Sequence, residues 1–255
     1  MKLIDELLQE GFLRMEFQPM YLCGGEAGRL FALEALARGP RASHFEQPSV
    51  LFDYIRFKHA EIAADHACIE AAIRSAPALP EGVLLSVNVH ACTLERDTTF
   101  PSWLLDRVSH YELPANRLVL EIVEQGRYWS RDKLVHNLSE LRSAGVQVAL
   151  DDVGAGTCNF GTILDTRPDY LKIDAYIVQG CADDPFRRRM LESISRIARD
   201  FGALAVAEGI ETQDDMNAIG EIGIDVAQGF LLGKPMPPSD LAYLKLDAGS
   251  GNDHS

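Results

Sequence analysis

Residues 118–152, LVLEIVEQGRYWSRDKLVHNLSELRSAGVQVALDD, decide the fold class of this chain. They begin and end with apolar runs, and the polar segment between these runs predicts a helix over 131–144 with Ser130 as its N-cap. Short apolar runs of this strand-like kind recur at 118–120, 146–150, 170–173 and 203–207. Strands that alternate with helices in this way predict parallel β-α-β units.

The whole chain contains eight strand-like segments, which predicts closure into a barrel. They lie at about 13–18, 30–36, 83–89, 117–123, 146–151, 169–174, 203–208 and 225–230. The connection from Pro19 to Arg29 contains three glycines and is too short for a helical crossover, so the first two strands are predicted to be antiparallel. We therefore predict an α/β fold, a TIM-like (β/α)8 barrel with an antiparallel first strand. It forms one domain over residues 1–246, and a Gly, Ser, Asn and Asp-rich tail at 247–255 is predicted to be disordered.

Charge and cysteine content exclude several classes of partner. The net charge of -14 argues against polymeric nucleic acid and anionic membranes, because both are bound through Lys and Arg. The five cysteines are widely spaced without a C-x-x-C pair, which is typical of reduced thiols. The N-terminus is acidic and amphipathic, and no run is long enough to span a bilayer. These features predict a cytoplasmic protein without a membrane segment.

Polar residues end seven of the strand-like runs. They are Glu34, Asn88, Glu121, the pair Asp151 and Asp152, Lys172, Glu208 and Gln228. The strand ends of a closed α/β barrel meet at one rim, so these groups are expected to form one site. Five carboxylates in one place require cations, and oxygen ligands without cysteine or paired histidine favour Mg²⁺ or Mn²⁺ over zinc.

Each of these residues also has a simpler interpretation when it is taken alone. The Asp151-Asp152 pair before a glycine-rich turn is typical of an Asx-type turn, and Asn88 is consistent with an amide that pairs with the backbone. Lys172 and Asp174, which we expect on one strand face, are consistent with a structural ion pair. A solvated acidic face would account for Glu121 with Glu124 and for Glu208 with Glu211. One metal site explains all of them together, and we prefer it for that reason.

These motifs resemble, in order, those of the EAL-domain family, the cyclic di-GMP phosphodiesterases of bacterial signalling. The resemblance covers about residues 10–245. Its motifs are Phe17-Gln18-Pro19, Glu34-Ala35-Leu36-Ala37-Arg38, Leu85-Ser86-Val87-Asn88-Val89, Glu121-Ile122-Val123-Glu124, Asp151-Asp152, Lys172-Ile173-Asp174, Ala207-Glu208-Gly209-Ile210-Glu211, Gln228-Gly229-Phe230 and Lys234-Pro235-Met236.

The resemblance implies a function and a role for each matching residue. It implies metal-dependent hydrolysis of cyclic di-GMP to linear pGpG by a water activated by two ions, Mg²⁺ or Mn²⁺. The implied metal ligands are Glu34, Asn88, Glu121 and Asp151 for one ion, joined by Asp152 and Glu208 for the second. The implied catalytic residues are Lys172, which orients or deprotonates the water, with Glu208, Glu34, Glu124 and Glu211, of which the last two brace the site. The implied substrate contacts are Gln18 to a guanine, Arg38 to a phosphate, and Asp174 and Gln228 in the inner site.

The resemblance also implies partners, and the chain departs from the family pattern at one loop. A homodimer is implied, and a sensory or cyclase domain in trans or in a longer parent protein. Where the family usually has Phe after the two aspartates, this chain has Val153, and the following Tyr-Ser-Ser-like stretch is replaced by Thr157-Cys158-Asn159-Phe160. In the family, that loop links the metal site to the dimer interface. The different residues in this chain are therefore expected to affect the order of the loop and the rate of turnover.

Two alternatives remain open from sequence. The first is a catalytically weak or inactive cyclic di-GMP receptor or regulatory domain, although every expected ligand type is present here. The second is independent of the resemblance: an enolase-type barrel that uses carboxylate-bound Mg²⁺ and a lysine base.

Overall fold

The computed structural model describes residues 3–9, 11–23, 28–123, 131–154 and 160–244. Its centre is a closed barrel of eight strands in chain order, which confirms the predicted fold class. The strands are β1 (Arg14–Leu22), β2 (Leu30–Arg38), β3 (Leu84–His90), β4 (Leu118–Val123), β5 (Gln147–Val153), β6 (Tyr170–Ile173), β7 (Leu204–Ala207) and β8 (Val226–Gln228).

The first strand is antiparallel to both of its neighbours, as predicted for the pair β1 and β2, and every other pair is parallel. The prediction that this strand ends before Pro19 is wrong, since β1 continues to Leu22. Phe17 exchanges backbone hydrogen bonds with Met236 on the side away from β2. Pro19 faces the same side two residues later, so its missing N–H leaves the bonds between β1 and β2 intact.

Helices surround the barrel between the strands. They are α1 (Leu3–Leu7), α2 (Pro48–Phe57), α3 (Glu61–Ile73), α4 (Ala91–Arg96), α5 (Phe100–His110), α6 (Arg131–Ser143), α7 (Phe160–Thr166), α8 (Ala175–Val178), α9 (Pro185–Asp200) and α10 (Gln213–Ile222). Short 3-10 turns lie at His44–Glu46, Ala76–Ala78, Ala115–Arg117 and Pro238–Tyr243. In α9 the residues Leu191, Ile194 and Ala198 are buried against the barrel, whereas Met190 is exposed. The predicted N-cap Ser130 and the predicted tail at 247–255 lie outside the described residues.

The start of α10 differs from a reciprocal capping box. The Thr212 hydroxyl accepts a hydrogen bond from the Asp215 backbone N–H at 3.1 Å. The Asp215 carboxylate does not return to the Thr212 backbone; it accepts the N–H groups of Gly180 and Ala182, each at 3.1 Å. These bonds hold the pKa of Asp215 below its usual range against the opposing effect of burial. Asp215 therefore ties α10 to the turn after α8.

An apolar layer inside the barrel supports the rim. Its buried members are Met20, Ala32, Val119, Ala149, Tyr170, Val206 and Val226. Side chains alternate across a strand, so the residue two positions away on each strand also points inward. These next inward positions include Glu34, Glu121 and Lys172. The site predicted from the sequence is therefore a polar layer that lies directly above this apolar layer.

Candidate active site

Lys172 is the centre of the polar layer. Its side chain is 2% exposed, and its Nζ lies 2.6 Å from an oxygen of Glu208 and 3.5 Å from oxygens of both Glu34 and Asp151. It also forms an ion pair with Glu121. Burial alone lowers the pKa of Lys172, but the four carboxylates outweigh that effect and raise it well above its usual range. Lys172 is therefore a buried ammonium ion that donates hydrogen bonds.

Glu34 is held by two amides as well as by Lys172. Asn88 donates to its Oε1 at 3.1 Å and Gln228 donates to its Oε2 at 2.7 Å. Burial raises the pKa of Glu34, but the charge of Lys172 and these hydrogen bonds outweigh it and lower the pKa overall. The carboxylate of Glu34 is therefore ionised and fixed in orientation.

Glu121 and Glu208 have the opposite electrostatic balance. Glu121 is completely buried and accepts a hydrogen bond from the Ser86 hydroxyl at 2.8 Å. Burial and then the neighbouring Glu34 raise the pKa of Glu121 well above its usual range. Burial, with the charge of Asp151, raises the pKa of Glu208 to about 8 despite Lys172. Both groups bind protons more readily than free carboxylates because one lysine cannot balance all the acids around it.

The paired aspartates lie where β5 becomes irregular. The pairing of β5 with β6 shifts between Leu150 and Val153, so both Asp151 and Asp152 are accommodated at this strand end. Asp152 has a φ of 53°, in the left-handed region that asparagine and aspartate tolerate better than most residues. Burial and then the charge of Asp151 raise the pKa of Asp152 to about 6. Both aspartates therefore lie in the last residues of β5, and the glycine-rich turn predicted after them falls largely outside the described residues.

The carboxylate oxygens form two groups that share one residue. One group is Glu34, Glu121 and Glu208, the other is Asp151, Asp152 and Glu208, and within each group the oxygens lie within 4.8 Å of one another. Asp151 Oδ1 and Gln228 Oε1 are buried without a hydrogen-bond partner among the described residues. Apart from the 3.5 Å ion pair of Asp151 with Lys172, these oxygen atoms have no protein partner in the part of the chain that the structure describes, and buried oxygen atoms beside an excess of negative charge suit hard divalent cations. The donor set fits two such ions, with Glu208 common to both.

Asp174 and Glu211 differ from their expected positions. The strand β6 ends at Ile173, so Asp174 does not share a strand face with Lys172; it caps α8 by accepting the Tyr176 N–H at 2.7 Å. After burial and the charge of Asp151, Asp174 is a further cause of the raised pKa of Asp152. Glu211 is exposed and has no hydrogen bond or ion pair within the described part of the chain, so this geometry gives it no bracing contact. Glu124 lies outside the described residues.

The two predicted substrate contacts on the first strands already have protein partners. Gln18 donates from its amide to the carbonyl of Gly233 at 3.1 Å. Arg38 ends β2, and its Nε lies 2.9 Å from Glu16 Oε2. Arg38 also lines a cavity of about 340 Å³ that reaches Glu34, Asn88 and Asp151. A ligand in this cavity is therefore in reach of both Arg38 and the acidic groups.

Two polar residues near the site were not predicted from the sequence. Ser86 lies two residues before Asn88 on β3, and its inward direction follows from strand alternation, so this signal was present. Glu16 lies two residues before Gln18 on β1 by the same rule. Its pairing with Arg38 could not be predicted from the sequence, because only the register between the two strands brings these residues together.

The fold and the site together define a closed α/β barrel with a cluster of carboxylates at one rim. The family model for the EAL domain matches residues 2–235, and the chain belongs to the EAL-domain family. The probable cyclic di-GMP phosphodiesterase PdeG of Escherichia coli (strain K12) is 28% identical over 249 residues, 95% of this chain and 49% of PdeG. The cyclic di-GMP phosphodiesterase RocR of Pseudomonas aeruginosa is 28% identical over 159 residues, 62% of this chain and 40% of RocR. The chain thus spans less than half of each of these curated relatives.

Solved structures have the same fold. BlrP1 of Klebsiella pneumoniae, in a complex with calcium and cyclic di-GMP, matches with a TM-score of 0.79 and 26% identity over 89% of this chain and 56% of that one. A standalone EAL protein from Vibrio cholerae O395, bound to cyclic di-GMP, has a TM-score of 0.79 at 22% identity, over 90% of this chain and 95% of that one. At the lower identity the match supports the fold alone. In the described part of the chain, no helix is both long and apolar enough to cross a membrane.

Proposed function

We propose that this chain is a metal-dependent phosphodiesterase that hydrolyses cyclic di-GMP to linear pGpG. The observation that carries this proposal is the pair of three-carboxylate groups that share Glu208 around Lys172. Family membership and the names of the relatives supply the substrate. Bound Mg²⁺ or Mn²⁺, two per site, supplies Lewis-acid activation of water and of the phosphodiester.

The positions of the carboxylates assign them to two ions. Glu34, Glu121 and Glu208 are the proposed ligands of one ion, and Asp151 and Asp152 join Glu208 for the other. Asn88 and Gln228 fix the Glu34 carboxylate in this structure, and each keeps a carbonyl oxygen that is a potential further ligand.

Lys172 is proposed to orient the attacking water through hydrogen-bond donation. Its Nζ is a hydrogen-bond donor within reach of the carboxylates around it, so of the two roles implied by the resemblance we favour orientation over deprotonation. Glu208, with a pKa of about 8, is the better candidate to hold a proton near neutral pH when no ion is bound. Glu124 and Glu211 remain proposals of the resemblance alone.

The substrate is proposed to bind across the rim beside the cavity. Arg38 lines this cavity and is the nearest candidate for a phosphate contact, because an arginine fork suits phosphate oxygens. Gln18 is proposed to contact a guanine, which requires its amide to exchange the Gly233 carbonyl for the base. Asp174 and Gln228 are proposed to complete the inner part of the substrate site.

Hydrolysis by the purified chain tests the proposal. Cyclic di-GMP is incubated with Mg²⁺, Mn²⁺ or EDTA, pGpG is followed by chromatography, and nucleotide binding is measured in parallel. We expect product only with a divalent ion. Tight binding without product would make the chain a receptor, and turnover of a member of a carboxylic-acid panel instead of cyclic di-GMP would favour the enolase-type alternative.

A charge-removing variant tests the site itself. Glu34→Gln keeps the size of the side chain but removes one ligand charge, and we expect the rate to fall at least about 100-fold. Glu81→Gln removes one charge at an exposed position before β3 and serves as the matched control. Equal rates for the two variants would contradict the assignment of Glu34.

The proposal includes three statements about context. We propose a homodimer, a cytoplasmic location, and a sensory or cyclase domain that acts in trans or within a longer parent protein. The support is the family resemblance, together with the greater length of PdeG and RocR. Light scattering of the purified chain, with and without cyclic di-GMP, tests the dimer.

A further inference from the structure

We propose that Glu16 is a positioning residue that holds the guanidinium group of Arg38 ready for a phosphate oxygen. This inference rests on the proposed function, because it assigns a task to a residue beside the same site. No motif of the sequence marks Glu16; its contacts in the structure do.

Strand register places Glu16 and Arg38 on the face of the site. In the antiparallel pair, Gln18 is opposite Glu34, Glu16 is opposite Leu36 and Arg14 is opposite Arg38. Alternate residues share a face, so Glu16 and Arg38 lie above the acidic layer that contains Glu34. They are diagonal neighbours, which is within reach of two long side chains.

The contacts of Arg38 leave part of its guanidinium available. Its Nε is paired with Glu16 Oε2 at 2.9 Å, and its Nη1 donates to the carbonyl of Ala37 at 3.1 Å. Within the described residues, its Nη2 has no hydrogen-bond or ion-pair partner, while Arg38 lines the cavity next to the acidic groups. The pair with Glu16 thus fixes the group without using all of its donors.

Glu16 is itself fixed by a second arginine. Its other oxygen, Oε1, faces Arg14 Nη1 at 3.9 Å. Arg14 in turn pairs with Glu46 at 3.2 Å and donates to the carbonyl of Gly39. Glu16 therefore contacts both Arg38 and Arg14, which are cross-strand partners.

The negative charge at the rim explains why the pair of Glu16 with Arg38 matters for phosphate binding. Arg38 shares its cavity with the carboxylates Glu34 and Asp151, which attract a flexible guanidinium group toward the ion sites. A guanidinium group that lies against those carboxylates competes with the metal ions for them. In that position it also cannot contact the phosphate. Pairing with Glu16 holds Arg38 at the rim and removes part of the entropy cost of ordering it when a nucleotide binds.

A double-mutant cycle tests the proposal. Glu16→Ala is expected to raise the KM for cyclic di-GMP roughly two- to tenfold and to change kcat less than about twofold, because only preorganisation is lost. Arg38→Ala is expected to raise KM further, and the double variant should match Arg38→Ala alone. Glu16→Gln retains an oxygen for Nε and is expected to restore most of the affinity.

Binding in Ca²⁺, under conditions in which chromatography detects no product, provides a readout that is independent of turnover. The dissociation constant should follow the same pattern across the four variants. Glu221→Ala is the matched control, because it removes an exposed ion pair from Arg188, which contacts neither Glu16 nor Arg38. It should leave both KM and the dissociation constant unchanged.

The outcomes separate this inference from the proposed function. A wild-type chain that forms no pGpG overturns the proposed hydrolysis, and its binding cycle still decides the role of Glu16. Independent, additive effects of the two substitutions would show that Glu16 does not act through Arg38. A lower KM or a tighter complex in Glu16→Ala would mean that Glu16 competes with the phosphate, which also overturns the proposal.

Discussion

Removal of the charge at Lys172 is the most informative perturbation of the site. Lys172→Met keeps a long apolar stem but leaves Glu34, Glu121, Asp151 and Glu208 without their shared cation. Breaking a buried ion pair from one side costs about 3–5 kcal/mol. For a chain of this size each kcal/mol shifts Tm by about 2–4 °C, so the metal-free variant should melt roughly 6–20 °C below the wild type.

The loss of stability in Lys172→Met should depend on pH in a direction that follows from the pKa of Glu208. The pKa of Glu208 is about 8 in the folded wild type, above its ordinary value of 4.5, so the folded state binds more protons than the unfolded state between these values. Stability therefore falls as the pH rises through this range. Loss of Lys172 raises the carboxyl pKa values further, so the variant should lose stability more steeply with rising pH than the wild type.

Thermal unfolding in EDTA and in Mn²⁺, at pH 6 and pH 8.5, measures these effects. Divalent ions replace the missing positive charge, so Mn²⁺ should stabilise Lys172→Met more than the wild type. Arg188→Met, which removes an exposed pair with Glu221 at 2.7 Å, is the control and should change Tm little. A variant as stable as the wild type in EDTA at pH 8.5 would refute the view that Lys172 balances the acidic layer.

Three further predictions follow from other contacts. Mn²⁺ affinity should rise between pH 6 and pH 8, because the pKa of Asp152 is about 6, that of Glu208 is about 8, and metal binding releases their protons. Calorimetry in two buffers of different ionisation enthalpy measures the number of protons released. Asp215→Ala leaves the N–H groups of Gly180 and Ala182 without their carboxylate acceptor and should lower the free energy of unfolding by about 1–3 kcal/mol in urea, without a change in Mn²⁺ affinity. Val153→Phe adds a ring to a buried position and should cost about 1–3 kcal/mol in the same urea experiment.

Each of these three has a result that contradicts it. Constant Mn²⁺ affinity from pH 6 to pH 8 would mean that the acids are already ionised without metal. Equal stability of Asp215→Ala and the exposed control Asp214→Ala would remove the tether between α10 and the turn after α8. An unchanged urea midpoint for Val153→Phe would show that the end of β5 has room for an aromatic ring.

The sequence predicts the inward residues well because alternation and barrel closure are both local rules. Glu34, Glu121 and Lys172 follow apolar strand residues, and closure of the strands brings them together whatever the exact strand ends are. The antiparallel first strand follows from the short connection for the same reason. These inferences need no knowledge of which side chain contacts which.

Pairwise contacts were beyond prediction because they depend on register and on backbone detail. The sharing of Glu208 between two carboxylate groups depends on where β7 ends relative to β5. The left-handed φ of Asp152 depends on the irregular pairing of β5 with β6. Asp174 became a helix cap because β6 ends one residue earlier than predicted, and a one-residue change reassigns a side chain completely.

The reversed direction of β1 has a consequence for how the site is connected to the rest of the chain. In an all-parallel barrel, every segment that precedes a strand arrives at the rim opposite the site. Here Arg14 is opposite Arg38, so the segment before β1 arrives at the rim of the site. Ile4 of the preceding helix α1 belongs to the same apolar cluster as Leu51 and Ile55 of α2, the helix that also forms one wall of the cavity. Two short connections, along β1 and through the apolar cluster with α2, therefore join α1 to the cavity and the acidic rim without passing through the barrel core.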